Sequence, residues 1–264
     1  MAQKTFDDLV ALMARLRGPG GCPWDREQKL EDLKPFIIEE AYEVVEAIDR
    51  DDRAALKEEV GDLLLEACFV SQIAAEEGSF EIRDAITAVH DKLVRRHPHV
   101  FGEETADSAD AVLTNWEKLK NEERVAKQES LLSGVPRTLP ALLKAMRLTE
   151  KASRVGFDWE KPEDAVQKLE EETVELREAL ESGDAEKIEQ ELGDLLFTLV
   201  NIARKLDVNA EEALQGANRK FTRRFEFIED RVRRDARKFE ELTLAEMDAI
   251  WDEAKKSERA EEKG

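Results

Sequence analysis

Apolar positions along this chain recur with the period of a helix. Turned by about 100° per residue, Leu192, Leu195, Leu196, Leu199, Val200, Ile202 and Ala203 fill one broad arc of the stretch 184–206. Ala165, Leu169, Leu176 and Leu180 line one side of the stretch 162–182. Pro162 followed by Glu163 and Asp164 suits a helix start, and Ser182-Gly183-Asp184 suits a stop followed by a fresh N-cap. Further helices are predicted at 139–154 and 209–235, with a tail near 243–259. No stretch alternates convincingly with period two, so the predicted fold class is all-α, built from helical bundles.

Acids interrupt these apolar faces. Glu191 and Asp194 lie together along one edge of the arc, with Gly193 between them. Gly193 costs helix propensity and suits close approach of another helix or a ligand. On 162–182, Glu172 and Glu175 share an edge stripe, with Lys168 one turn before Glu172. Two antiparallel helices joined by the Ser-Gly-Asp turn would bring the four carboxylates together. Such a cluster needs a cation in its midst. A hard divalent ion suits an all-oxygen donor set, and Mg²⁺ keeps waters and substrate phosphates beside a few carboxylates. Mn²⁺ is the natural substitute. A di-iron centre requires Glu-x-x-His on bundle helices, and His90, His97 and His99 stand outside these motifs. The plainer reading is a solvated face, with Lys168–Glu172 and Lys187–Glu191 as ordinary i,i+4 pairs.

Duplication argues against the plain reading. EEAYE at 39–43 returns as EETVE at 171–175, and EVGDLL at 59–64 returns as ELGDLL at 191–196, both displaced by 132 positions. KLVRR (92–96) is echoed by KFTRR (220–224), and WEKLKNEER (116–124) by WDEAKKSER (251–259). The chain therefore reads as two tandem domains of about four helices each, spanning 1–128 and 141–264. ESLLSGVPRTLP at 129–140 is the linker, punctuated by Gly134, Pro136 and Pro140. The first copy supplies Glu40, Glu43, Glu59 and Asp62. It lacks the bases, because Phe36 and Ala55 stand where the second copy has Lys168 and Lys187, two residues well placed to meet phosphates beside a metal. It also runs into His97-Pro98-His99, where proline is expected to end the helix.

Composition narrows the partners. The 264 residues carry a formal charge of −21, with 41% hydrophobic and 39% charged positions. That field repels nucleic-acid polymers and anionic membranes. An anionic small substrate would need local lysines, arginines or a metal. Two isolated cysteines, Cys22 and Cys68, suit a reducing compartment. The amphipathic, acid-containing N-terminus does not resemble a signal peptide, and no apolar run reaches spanning length. A cytoplasmic location is expected. HPH at 97–99 lacks the further ligands a zinc site needs. Trp24 and Trp159 read equally as core anchors or substrate-loop residues.

The paired EE-x-x-E and E-x-x-D-L-L motifs, with GGCPWD near the start and RRHPHVFG in the middle, resemble the MazG nucleoside triphosphate pyrophosphohydrolases over nearly the whole chain. The resemblance implies an all-α, Mg²⁺-dependent enzyme that cleaves nucleoside triphosphates between the α and β phosphates, and a homodimer. It implies metal-binding and catalytic roles for Glu172, Glu175, Glu191 and Asp194, with Glu40, Glu43, Glu59 and Asp62 as first-copy equivalents. It points to Lys220 and Arg224, with Arg223 adjacent, for the phosphates, and to Trp251 near the nucleotide. Glu171 or Glu175 would accept the proton of the attacking water. The rival readings are a non-catalytic helical interaction protein and a nucleotide-sensing module without turnover.

Overall fold

A computed structural model describes residues 3–126 and 128–261. Among them every regular element is helical. The first unit, Met1–Glu123, holds α1 (Phe6–Arg17), α2 (Pro23–Glu27), α3 (Lys34–Asp49), α4 (Arg53–Glu76), α5 (Ile82–Arg96), α6 (Pro98–Phe101) and most of α7 (Ala109–Ala126). The second unit, Arg124–Gly264, holds α8 (Ala141–Ser153), α9 (Pro162–Ser182), α10 (Ala185–Lys205), α11 (Ala210–Arg234), a short 3-10 turn at Phe239–Glu241 and α12 (Leu244–Glu261). The units divide within the last turns of α7, ahead of the proline-punctuated 129–140 stretch.

Each unit is organised around one helical hairpin, α3–α4 in the first and α9–α10 in the second. The turn between α9 and α10 is built as its residues dictate. Gly183 takes the left-handed conformation at φ 68°, and the Asp184 carboxylate accepts from the N–H groups of Glu186 and Lys187 at 3.1 and 3.4 Å. The first copy makes the same turn with Asp51 at φ 52°, and Asp52 accepts from Ala54 and Ala55 at 3.0 and 3.1 Å. Around this hairpin α1 packs on α4 in the first unit, and α8 and α11 pack on α10 in the second. The first core gathers Met13, Leu33, Cys68, Phe69 and Ile73.

The hairpin faces correct the apolar arcs read from sequence. α9 buries Ala165, Glu172 and Ala179, a stripe seven residues apart whose two alanines let α10 lie close. α10 buries Thr198, Val200 and Asn201. Leu180, Leu192, Leu196 and Leu199 are instead 58%, 47%, 45% and 42% exposed. The first copy leaves Ile48, Val60 and Leu64 exposed at the positions matching Leu180, Leu192 and Leu196. The arc on each helix is wider than one neighbouring helix covers. A Cβ added at Gly193 meets nothing within 4 Å, so no neighbouring helix among the described residues approaches there.

Pro98 has a visible consequence. α5 stops at Arg96 after 15 residues, whereas α11 continues for 25. α12 consequently packs along α11, while α7 is tied to the end of α5 by long side chains.

Candidate active site

The site grows from the buried stripe of α9. Glu172 takes the position between Ala165 and Ala179 and is 5% exposed, an expensive place for a lone carboxylate. Lys168, one turn earlier, donates to Glu172 Oε1 at 2.9 Å and to Glu171 Oε2 at 3.1 Å. These hydrogen bonds, Glu172 first, raise the Lys168 pKa above its ordinary range. Across the hairpin, α10 brings in Glu191. Glu172, Glu175 and Glu191 each place a carboxylate oxygen within 4.8 Å of the others. Glu191 holds its proton above the usual carboxyl range, through partial burial and then the charges of Glu175, Asp194 and Glu172; Lys168 opposes the shift. Asp194 is exposed and stands outside the tight triad, near enough for Glu191 to feel its charge.

The donor set fits a hard divalent cation. All three groups are carboxylates, they converge, and Lys168 alone leaves the triad with excess negative charge. Lys187 and Lys220 are exposed. No Lys187–Glu191 ion pair forms among the described residues.

The first copy repeats the triad. Glu40, Glu43 and Glu59 place oxygens within 4.8 Å of one another. No lysine ion pair to these three forms among the described residues. Glu40 and Glu59 both titrate above the ordinary range, by burial first and neighbouring carboxylates after it. A further acid, missed in the sequence, joins this cluster: Glu66 has a buried Oε2 without a hydrogen-bond partner, and burial, then Glu40 and Asp62, raise its pKa. Its position corresponds to Thr198, so comparing the copies residue by residue would have exposed it.

Arg223 and Arg224 have a partner within the chain that the sequence did not indicate. Both are engaged by Glu258 of α12, at 2.7 and 2.8 Å. The Arg224 guanidinium lies 5.5 Å above the Trp251 ring, which in turn packs against Phe221 at 5.3 Å between centroids.

Comparison with known proteins adds the family. The model of the MazG nucleotide pyrophosphohydrolase domain matches twice, at residues 28–101 and 160–227. The chain belongs to the MazG family. A nucleoside triphosphate pyrophosphohydrolase/pyrophosphatase MazG of Thermotoga maritima is 46% identical over 250 residues, covering 95% of both chains. A nucleoside triphosphate pyrophosphohydrolase of Escherichia coli is 44% identical over 259 residues, covering 96% of this chain and 98% of its own. An uncharacterised Bacillus subtilis protein, YabN, is 44% identical over 255 residues, which is 96% of this chain and 52% of that one.

Each MazG match contains one complete acidic triad. The second also contains Lys168, Lys187, Lys220, Arg223 and Arg224, whereas Trp251 and Glu258 lie beyond it. The tail helix is therefore joined to the matched region by tertiary contact. No described helix is long and apolar enough to cross a membrane.

Proposed function

We propose that this chain is a Mg²⁺-dependent nucleoside triphosphate pyrophosphohydrolase, releasing the monophosphate and pyrophosphate by cleavage between the α and β phosphates, with the second copy as the main catalyst. The observation that carries the reading is the Glu172–Glu175–Glu191 triad with Lys168 on its rim, in a chain whose full-length relatives are named for this activity. A bound divalent cation would neutralise the triad and the triphosphate, and acidify a bound water.

The chain's own residues do the rest. Glu172, Glu175 and Glu191 would hold the cation, with Asp194 as a further oxygen donor. Lys168, already charged and oriented by Glu172 and Glu171, receives phosphate oxygens at the rim. Lys187, Lys220 and Arg224 supply the remaining positive charge against an overall field of −21. Glu171, exposed and adjacent in sequence to Glu172, or Glu175, the exposed member of the triad, accepts the proton of the attacking water. Second copies of the chain cover the apolar residues left outward on α9 and α10, giving a homodimer.

The test is pyrophosphate release from ATP. It should require Mg²⁺, be partly supported by Mn²⁺, and fall at least ~100-fold in Glu172→Gln, as expected when charge stabilisation at a reacting centre is removed. Wild-type rates in that variant would remove the assignment. Mg²⁺-dependent triphosphate binding without turnover would favour a sensing module, and no binding at all a purely structural acid network.

A further inference from the structure

The tail helix carries a carboxylate, Glu258, that neither motif resemblance nor family match assigns. Trp251 and Glu258, seven residues apart, share one face of α12 and are both turned to α11. Glu258 takes one arginine on each carboxylate oxygen. Arg223 donates Nε to Oε1 at 2.7 Å, and Arg224 donates Nε and Nη2 to Oε2 at 2.9 and 2.8 Å. The side chains of Glu258 and Arg224 are 16% and 17% exposed, so the grip is well shielded, while Arg223 is open to solvent. The two guanidiniums hold the Glu258 carboxyl below the usual range.

This is a side-on grip. It occupies the Nε edge of each guanidinium and leaves Nη1 of both uncommitted to the carboxylate. An arginine fixed along one edge and stacked on an indole loses little further freedom when its other edge meets an anion. The first copy repeats the unit with the same seven-residue step from Trp to Glu, but with its arginine pair seven residues nearer in sequence to the glutamate. Glu123 takes Arg95 and Arg96 at 2.8 and 2.6 Å, and Arg96 lies 5.5 Å over Trp116. There, however, the helix breaks at Pro98, and Phe36 and Ala55 stand where the second copy has Lys168 and Lys187. The same device thus occurs in the copy whose acidic helices carry Lys168 and Lys187 and in the copy whose acidic helices lack them.

We infer that Glu258 is a positioning residue for the nucleotide: it sets Arg223 and Arg224 as a two-guanidinium fork for the triphosphate, so that the tail helix completes the phosphate site of the second copy. The inference rests on the phosphate role of Arg224 in the proposed function. Removing the carboxylate leaves both arginines charged but unanchored, and the loss falls on nucleotide binding rather than on the metal or the chemical step.

The experiment compares wild type, Glu258→Gln and Glu123→Gln in the full chain. It reads KM and kcat for ATP, calorimetric binding of a non-hydrolysable α,β-methylene triphosphate with Mg²⁺, Mn²⁺ binding without nucleotide, and Tm. In Glu258→Gln, KM and the analogue Kd should rise ~10-fold, the worth of one charge-assisted bond, with kcat within about twofold and Mn²⁺ affinity unchanged. Glu123→Gln should lower Tm to a similar extent and leave KM alone. Unchanged KM and Kd in Glu258→Gln would overturn the inference, as would tighter binding, which would make Glu258 a competitor of the phosphates. Equal KM rises in both variants would reduce the unit to a fold clamp. If wild type binds the analogue without turnover, the proposed activity fails while Kd still decides the role of Glu258. If it binds no analogue, both fail.

Discussion

At the scale of single residues, the two copies act as each other's controls. Gly183 and Asp51 occupy the same left-handed turn position, at φ 68° and 52°. Glycine adopts that region without steric cost, whereas an aspartate does so against a penalty of about 1 kcal/mol. Asp51→Gly should therefore stabilise the first copy by ~0.5–1 kcal/mol, read as a higher urea midpoint at constant m-value; a lower midpoint would mean that the Asp51 side chain contributes more than its backbone costs. Arg53, which reaches Asp51 at 2.7 Å, is highly exposed and offers little to set against this. Glu172 and Glu66 show the opposite side of the comparison. Both are carboxylates on faces that otherwise pack, yet Glu172 has Lys168 at 2.9 Å and Glu66 has no hydrogen-bond partner for its buried Oε2. At the position of Lys168 the first copy has Phe36, so its Glu40 has no lysine one turn before it.

At the scale of elements, helix ends decide how each tail is held. Pro98 closes α5, so α7 is fastened through the Arg95–Arg96–Glu123 group and the edge of Trp116 against His97 at 4.8 Å. Hydrogen bonds from Arg96 and Arg95 depress the Glu123 carboxyl to about 2, from an ordinary 4.5. Because the folded value is the lower one, the stabilisation is complete above the unfolded pKa and disappears as pH falls through the window from 4.5 to about 2. The Tm difference between wild type and Glu123→Gln should then be largest near neutral pH and shrink across that window. A difference that grows on acidification would contradict the assignment. The unpacked arc of α10 belongs to the same scale. Its periodicity was legible, but periodicity states only which residues share a face, and the chain supplies too few neighbouring helices to cover it.

At the scale of the whole molecule, the exposed apolar faces recur at matched positions of both hairpins. Apolar residues repeated in this way are expensive to leave in water, at roughly 25 cal/mol per Å². With the homodimer of the proposed function, Leu192→Glu combined with Leu196→Glu should shift the chain from dimer to monomer in sedimentation velocity, while helicity by circular dichroism is retained. Unchanged sedimentation would place the dimer contact elsewhere. The net charge of −21 works against association of bare surfaces, so an apolar face, desolvated on contact, is the surface able to overcome it.

Helix periods, capping residues and the 132-residue duplication were enough to read an all-α chain of two copies and to pick the acids, since those signals are local or repeat at fixed spacing. What the fold alone decided is which groups meet. Only the close α9–α10 contact allowed by Ala165 and Ala179 brings Glu172, Glu175 and Glu191 within 4.8 Å while setting Asp194 outside their triad. Only the return of α12 along α11 delivers Glu258 to two arginines more than thirty residues away. Side-chain pairing across helices depends on interhelical distance and rotation, and a periodic pattern leaves both undetermined.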